Sequence, residues 1–339
     1  TKFGAAGDFV TAPELGPLFA ACVADAVAPV LQQLGPGAEF VELGGGSGAF
    51  AEVALKKMLA LDALPARYAI LEPSADLRLR QHERLRQQLS PLLFDLVEWL
   101  DAPPQQSWNG VLFANEVIDA LPTPRFSLRD GEVFEEHVAL DGEGRFIRSD
   151  RPADALLAAA TRHVERQLPA PFADGYRSEL LPQLPYWVQA VVGGMQRGAL
   201  LFIDYGHPRA EYYQPQRSDG TLRAFRRHHV SEDVFAWPGL QDITASVDFT
   251  ALAEAGEGAG FDFSGYCSQA SFLIGNGLAR NLAAAEAKAH DEAACYALRQ
   301  QAKQLTLPDA MGERFQAIGF QRDVEFGTAF LVGDLSWRL

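Results

Sequence analysis

Glycines concentrate in one short stretch of the chain, directly after a run of apolar residues. Residues 40–43 have the pattern of a buried strand, and Gly44, Gly45, Gly46 and Gly48 follow them. A helical spacing of apolar residues begins with the residue at 50. In a strand, glycine turn and helix layout, the backbone can approach a nucleotide because no Cβ intervenes, and the helix start offers unpaired N–H groups. These residues therefore predict a site for a nucleotide-like ligand.

Two glutamates narrow the class of ligand. Glu42 precedes Gly44 by two residues, and the next predicted strand ends in Glu72, 26 residues beyond Gly46. A carboxylate at the end of a second strand is placed to accept hydrogen bonds from both hydroxyls of a ribose. This arrangement resembles the cofactor site of class I S-adenosylmethionine (SAM) methyltransferases, and it predicts SAM as the cofactor.

Other interpretations of the glycine stretch stay open. The letters also fit the dinucleotide pattern Gly44-x-Gly46-x-x-Ala49, which is a weak signal when taken alone. Glu42 favours SAM over a nicotinamide or flavin cofactor, because dehydrogenases usually carry an apolar residue at that position. A turn with a purely structural role is the third interpretation.

Polar side chains follow a second buried strand, at residues 111–114. Asn115 and Glu116 come directly after it, and Asp119 follows three residues later. Polar groups at the carboxyl end of a parallel strand lie where open α/β sheets bind ligands. If residues 115–121 form a helical turn, both carboxylates project to one side and could hold a guanidinium or ammonium group. Alternatively, Asp119 caps a turn and only Glu116 faces the site.

A third acidic candidate lies near the start of the chain. Pro13 suits the first turn of a helix whose apolar spacing continues to residue 34, with a kink expected at Pro29. Glu14 in that first turn either complements the helix dipole or faces the cofactor or substrate.

Length and charge exclude several classes of protein. The chain of 339 residues fits one large α/β domain with insertions, or two domains, and its net charge of −15 argues against a nucleic-acid partner. No uninterrupted apolar stretch reaches the roughly 18–20 residues of a membrane span. Because the chain begins at Thr1, we expect a segment to precede it, and a targeting peptide is neither seen nor excluded.

Cysteine and histidine spacing predicts neither a disulfide framework nor a metal site. Cys22, Cys267 and Cys295 are far apart, and the neighbouring His228 and His229 lack other ligands at metal-binding spacing. A reducing compartment fits this pattern.

The remaining patterns predict an insertion between two halves of an α/β domain. We expect residues 1–124 to form the N-terminal helix and the cofactor-binding half, 125–197 the insertion, and 198–339 the second half, with a helical insertion at about 270–315. The predicted strands after residue 90 are 92–97, 111–114, 125–128, 133–140, 199–204, 261–268 and 319–332. The predicted helices are 13–34, one ending at Leu89, 152–168, 186–195, one beginning near Phe249 behind an Asp248 cap, and 270–305.

Several blocks together resemble the MidA family, whose mitochondrial member is the arginine methyltransferase that assists the assembly of respiratory complex I. The resemblance covers about residues 4–330. The blocks that carry it, in chain order, are Gly7-Asp-Phe-Val-Thr-Ala-Pro-Glu14, Glu42-Leu-Gly-Gly-Gly-Ser-Gly48, Leu71-Glu-Pro-Ser74, Ala114-Asn-Glu-Val-Ile-Asp-Ala-Leu-Pro122, Asp204-Tyr-Gly206, Gln241-Asp-Ile-Thr-Ala245 and Val247-Asp-Phe249.

The resemblance implies a class I methyltransferase fold with a Rossmann-like, mostly parallel seven-stranded sheet flanked by helices, and SAM as cofactor. Carried over by position, Gly44, Gly46 and Gly48 would hold the methionine part of SAM and Glu72 the ribose. The cofactor-binding residues that we predict also include Glu42, Pro73, Ser74 and Asn115. It places Asn115, Glu116 and Asp119 at the transfer site. The chain departs from the family at Gly45, where proline or alanine is common, and at Ser246, where histidine or aspartate is frequent.

We therefore predict a cytoplasmic SAM-dependent methyltransferase, or a mitochondrial-matrix one if the source is eukaryotic. It would act on protein arginine in a role like that in complex I assembly, with Glu116, Asp119 and Glu14 as catalytic residues. We expect no metal, no nucleic-acid partner and no membrane span, and the oligomeric state is open. The alternatives are a SAM-binding assembly or regulatory protein, a dehydrogenase, and a hydrolase using Gly45-x-Ser47-x-Ala49 as a nucleophile elbow.

Overall fold

The central sheet is built from the most apolar stretches of the sequence. The computed structural model describes residues 11–226 and 229–339, so His228 and residues 7–10 of the first resemblance block lie outside the described residues. Residues 199–203 are completely buried, and such unbroken apolar runs are typical of parallel strands covered on both faces. In chain order the strands are β1 (Glu39–Leu43), β2 (Arg67–Leu71), β3 (Val97–Leu100), β4 (Trp108–Asn115), β5 (Arg125–Arg129), β6 (Glu132–Leu140), β7 (Phe146–Pro152), β8 (Arg177–Glu179), β9 (Met195–His207), β10 (Arg223–Arg226), β11 (His229–Ser231), β12 (Asp242–Thr244), β13 (Val247–Asp248), β14 (Asp262–Ser268) and β15 (Phe315–Arg322).

Seven strands form the continuous path of the central sheet, in the order β3-β2-β1-β4-β9-β15-β14. The five strands from β3 to β9 run parallel, whereas β15 is antiparallel to both β9 and β14. The short β13 pairs with the end of β9. This order confirms the predicted α/β class with a mostly parallel seven-stranded sheet, and it brings the carboxyl ends of β1, β2, β3 and β4 to one edge.

Helices surround the sheet and the smaller sheets attached to it. In chain order they are α1 (Pro17–Leu34), α2 (Ala49–Ala60), α3 (Ala75–Gln88), α4 (Pro91–Phe94), α5 (Ala155–Gln167), α6 (Leu184–Val192), α7 (Arg209–Tyr212), α8 (Phe249–Gly258), α9 (Gln269–Gly275), α10 (Leu278–Glu286) and α11 (Glu292–Thr306). Single turns of helix also occur at Ala12–Leu15, Pro308–Gly312 and Ser336–Arg338.

Two apolar clusters cover the two faces of the sheet. Phe19 of α1 and Phe50 of α2 belong to the cluster on one face, and Val188 of α6 and Leu252 of α8 belong to the cluster on the other. By length and composition alone, α1 could cross a membrane, but 67% of it is buried inside the protein. Its packing is therefore that of a core helix.

Two smaller sheets accompany the central one. Strands β7-β6-β5-β8 form an antiparallel sheet, and β11-β10-β12 form another. The predicted hairpin at 125–140 is confirmed as β5 and β6. The predicted cap is also confirmed, because the Asp248 carboxylate accepts the backbone N–H groups of Thr250 and Ala251 at the start of α8.

Two predicted elements near the start of the chain are wrong in their bounds. The apolar run at 92–97 is not a strand, because Pro91 begins the short helix α4 and the strand starts only at Val97. The helix predicted at 13–34 is interrupted by Gly16, whose φ of 140° separates the turn Ala12–Leu15 from α1.

Later elements also differ from the prediction. The helical stretch at 270–305 is three helices, divided first at Gly277 (φ 87°) and again at 287–291. The last strand ends at Arg322 instead of 332. Residues 115–121 form no helical turn, because Glu116 adopts a left-handed φ of 53° directly after β4.

Candidate active site

A cavity of about 550 Å³ opens at the carboxyl ends of β1, β2 and β4. This is where open α/β sheets bind ligands, and the volume is in the range of small-molecule sites. The predicted site residues that line it are Glu14, Glu42, Gly44, Gly46, Glu72, Pro73, Asn115 and Glu116. Gly48, Ser74 and Asp119 are not among its lining residues: Gly48 precedes α2, Ser74 caps α3, and Asp119 lies behind Glu116.

The glycine turn forms one wall of the cavity. Gly44, Gly46 and Gly48 have φ values of 66°, 52° and 82°, which favour glycine over residues with a side chain. The turn is fixed at both ends, because Gly44 donates to the Leu71 carbonyl at 2.9 Å and Gly48 donates to the Gly45 carbonyl at 2.8 Å. A Cβ on Gly46 would meet no protein atom within 4 Å, so it would project into the open cavity.

Glu72 presents its carboxylate at the end of β2 and is only 4% exposed. Its Oε1 accepts the backbone N–H of Ser74 at 3.0 Å, and its Oε2 accepts the amide of Gln81 at 3.3 Å. The carboxylate therefore lies in the cavity wall and does not turn outward to bulk water.

Glu42 lies in the cavity wall, two residues before the glycine turn, and is only 3% exposed. Burial raises the pKa of its carboxyl to about 7, although the hydroxyl of Tyr68 donates to Oε2 at 2.7 Å and opposes that rise. Tyr68 is itself buried and stacks on Phe40, with 5.0 Å between the ring centroids. Glu42 is thus a carboxyl whose charge can change near neutral pH.

The end of β4 carries the polar groups on the neighbouring wall. Glu116 donates its N–H to the Ile203 carbonyl at 3.0 Å, and the amide nitrogen of Asn115 donates to Glu116 Oε1 at 3.0 Å. Burial, followed by the charge of Asp119, raises the pKa of Glu116 to about 8. The Oδ1 atom of Asn115 is buried without a hydrogen-bond partner among the described residues, so it can accept from a ligand N–H.

Behind Glu116, three further groups fix the turn that follows β4. Asp204 Oδ2 accepts the backbone N–H groups of Ile118 at 3.0 Å and Asp119 at 3.3 Å. The hydroxyl of Tyr205 donates to Asp119 Oδ2 at 2.7 Å. Burial raises the pKa of Asp119 to about 6, and burial together with the charge of Asp119 raises the pKa of Asp204. Asp119 therefore supports the wall of the cavity without lining it.

The turn Ala12–Leu15 completes the site above the glycines. The Ser47 hydroxyl donates to Glu14 Oε1, and Arg84 donates to the same hydroxyl at 3.3 Å. A nucleophile elbow would need this hydroxyl to donate to a histidine. The hydroxyl donates to a carboxylate instead, so the hydrolase alternative is wrong.

The sequence patterns missed several residues of the site. Trp187 and Val191 of α6 line the cavity, and Gln81 of α3 joins the glycine turn to Glu72. A usable signal existed for Gln81, because it occupies a polar position in the apolar stripe between Leu77 and Leu85. Trp99 is not a lining residue; it packs against the apolar core.

Comparison with known proteins decides the family. A family model described as S-adenosyl-L-methionine-dependent methyltransferase (Methyltransf_28) matches residues 22–267. The chain belongs to the MidA family. It is a SAM-dependent methyltransferase, and both the predicted family and the predicted cofactor are confirmed.

Two solved structures resemble this MidA-family methyltransferase over its whole length. A COG1565 superfamily protein from Burkholderia thailandensis bound to S-adenosyl-homocysteine is 40% identical, with a TM-score of 0.89, and covers 100% of this chain and 86% of that one. A native structure of a COG1565 protein from the same organism is 39% identical, with a TM-score of 0.86, over 98% and 88% of the two chains.

Curated relatives are mitochondrial protein arginine methyltransferases named NDUFAF7. The mouse protein is 28% identical over 342 residues, which cover 92% of this chain and 74% of the mouse protein. The zebrafish protein is 29% identical over 213 residues, which cover 61% of this chain but 46% of the zebrafish protein, so that match spans less than half of the relative.

Proposed function

We propose that this methyltransferase transfers a methyl group from SAM to an arginine side chain of a protein. The observation that carries the proposal is the Glu116 carboxyl at the end of β4, which lines the same cavity as the glycine turn and Glu14. Relatives named as protein arginine methyltransferases support the same acceptor.

The residues on the cavity wall fit SAM. The space beside Gly46 would be filled by any Cβ, and the free Oδ1 of Asn115 suits an ammonium or amide donor. We assign the ribose hydroxyls to Glu72 and the methionine part to the glycine turn with Glu42 and Asn115. When bound, SAM supplies an electrophilic methyl group on a positively charged sulfur.

Glu116 would orient the acceptor. An arginine guanidinium is a weak nucleophile because it is protonated far above neutral pH. Carboxylates can hold it through charge-assisted hydrogen bonds and aim one nitrogen at the methyl group. Glu116 is the candidate whose backbone is held by β9, through its N–H to the Ile203 carbonyl, whereas Glu14 accepts from the Ser47 hydroxyl. Asp119 acts through the position of Glu116, since it does not line the cavity.

Protonation of Glu116 would be linked to acceptor binding. Burial raises its pKa to about 8, so this carboxyl binds a proton more readily at neutral pH than an ordinary glutamate does. A guanidinium arriving in the cavity favours the ionised carboxylate, because an opposite charge nearby lowers a carboxyl pKa. Methylation of a guanidinium nitrogen would release one proton from that nitrogen, and the ionised Glu116 carboxylate would accept it.

The proposal is tested by incubating the protein with methyl-labelled SAM and bacterial extract, and then locating the label by mass spectrometry. We expect the label on arginine of one or a few proteins, as in an assembly role like that in respiratory complex I. Label on another residue type would overturn the arginine assignment. Tight S-adenosyl-homocysteine binding with no labelled protein would favour the alternative of a SAM-binding assembly protein.

A further inference from the structure

Gln81 connects the glycine turn to Glu72 from behind the cavity. Its amide nitrogen donates to the Gly46 carbonyl at 2.9 Å and to Glu72 Oε2 at 3.3 Å. The side chain is 0% exposed and is not among the residues that line the cavity. Gln81 therefore touches two parts of the cofactor site without touching the space that a cofactor would fill.

Trp99 fixes which way the Gln81 amide points. The indole Nε1 donates to Gln81 Oε1 at 2.8 Å. An indole N–H can only donate, so the amide atom facing it must be the oxygen, and the amide nitrogen must face Gly46 and Glu72. Trp99 is paired with Ile70 in the neighbouring strand β2, the strand that ends just before Glu72.

The two hydrogen bonds received by Glu72 set the plane of its carboxylate. Ser74 donates to Oε1 and Gln81 donates to Oε2, so each oxygen is held by one donor. An ionised carboxylate has about four acceptor positions, so each oxygen keeps capacity for one ligand hydroxyl. Without Gln81, Oε2 and the Gly46 carbonyl would both lose their side-chain donor.

We propose that Gln81, oriented by Trp99, is a positioning residue for the cofactor. Gln81 holds the Glu72 carboxylate, which receives the ribose, at a fixed distance from the glycine turn, which receives the methionine part. The two parts of the cofactor are then bound at the same time. This inference rests on the role proposed above for Glu72.

Three variants of the full chain test the proposal, with S-adenosyl-homocysteine titrated by calorimetry. Gln81→Met keeps the length of the side chain and removes the donor, and we expect the Kd to rise about tenfold, as for a buried acceptor left unpaired. Gln81→Glu places a titratable group there: its neutral form can still donate, whereas its ionised form repels Glu72. Gln87→Glu makes the same change at an exposed position on α3 and serves as the matched control.

The decisive measurement is the ratio of variant Kd to wild-type Kd from about pH 5.5 to about pH 8.5, a range that spans the titration of a buried glutamate. For Gln81→Glu we expect the ratio to rise with pH, and for Gln87→Glu we expect it to stay constant. A merely structural glutamine would give no such pH dependence. Because this trend with pH is measured on Gln81→Glu and wild type only, the test holds even if Gln81→Met does not fold.

A flat ratio for folded Gln81→Glu, or a Gln81→Met protein that binds within about twofold of wild type, would overturn the proposal. Glu72→Gln distinguishes a failure of the role proposed for Gln81 from a failure of the role proposed for Glu72. If that variant binds S-adenosyl-homocysteine like wild type, the role of Glu72 is itself wrong, and the role of Gln81 with it. Absence of arginine methylation would overturn only the proposed acceptor, because these titrations contain no acceptor.

Discussion

The Asp204 carboxylate accepts the backbone N–H of Ile118 at 3.0 Å, across 86 residues of sequence. Its second contact on the same oxygen is the N–H of Asp119 at 3.3 Å. These bonds pin the turn that follows β4 to the end of β9. Since Glu116 lies at the start of that turn with a left-handed backbone, its place in the cavity depends on Asp204.

Substituting Asp204→Asn is therefore expected to slow methyl transfer with little change in cofactor affinity. Asp204 Oδ2 accepts both N–H groups of the turn, and Oδ1 accepts the N–H of Tyr205 at 2.9 Å. An amide has one oxygen only, so its NH2 group must face either the turn or Tyr205, and the turn is held less firmly; we expect roughly a tenfold or larger fall in kcat. Steady-state kinetics on the labelled substrate and calorimetry with S-adenosyl-homocysteine measure the two effects. An equal loss of both would mean that the residue supports the whole fold instead of the Glu116 turn.

Glu116→Gln is expected to abolish methyl transfer while S-adenosyl-homocysteine still binds. The amide has nearly the same shape as the protonated carboxyl but cannot ionise against a guanidinium, so a loss of about 100-fold or more in rate is expected. Glu257→Gln, on an exposed position of α8, is the matched control and should behave as wild type. Activity retained by Glu116→Gln would remove this residue from the transfer step.

Gly46→Val is expected to prevent cofactor binding. Its Cβ and methyl groups would project into the cavity, and the backbone there has a φ of 52°. Gly131→Val controls for backbone strain, because Gly131 has a φ of 77° in the β5–β6 turn, also with no atom within 4 Å of a Cβ, but outside the cavity. Calorimetry should show loss of binding only for the first variant, and an unchanged Kd would refute the assigned pocket.

Two carboxyl groups of the site, those of Glu42 and Glu116, should lower the stability of the free protein as the pH rises above about 5. The pKa values of Glu42 and Glu116 are about 7 and about 8 in the folded protein, and an unfolded glutamate titrates near ~4.3. Between these values the folded state binds more protons than the unfolded state, so the free energy of unfolding decreases with increasing pH.

Thermal unfolding of wild type and Glu116→Gln across that range provides the test. The amide cannot titrate, so the variant should lose less stability than wild type as the pH rises through about 8. Parallel curves for the two proteins would show that Glu116 is not proton-linked to folding.

The elements that could be predicted are those whose evidence is local in sequence. Strand β9 could be predicted because its apolar run is unbroken. The glycine turn could be predicted because three positive φ values require glycine within five positions. The short helix α4 was misread because a run of three apolar residues after Pro91 fits a strand as well as a helix start.

The parts of the site that could not be predicted depend on contacts between distant segments. Asp204 stood out at the end of a strand, but nothing in its surroundings indicates that it accepts the N–H of Ile118. Trp187 belongs to a helix with an apolar stripe, and only the packing of α6 beside β4 brings it to the cavity. Asp119 was expected in the cavity because a helical turn would point it there; the left-handed Glu116 redirects the chain.

Helix α6 contributes part of the cavity wall, and a selective inhibitor could bind there. A compound fitted to the glycine turn and Glu72 would address features that a whole class of nucleotide-binding enzymes presents. Trp187 and Val191 come from the stretch between β4 and β9, outside that common framework. A molecule extended to reach the indole of Trp187 would make contacts that the glycine turn and Glu72 do not provide.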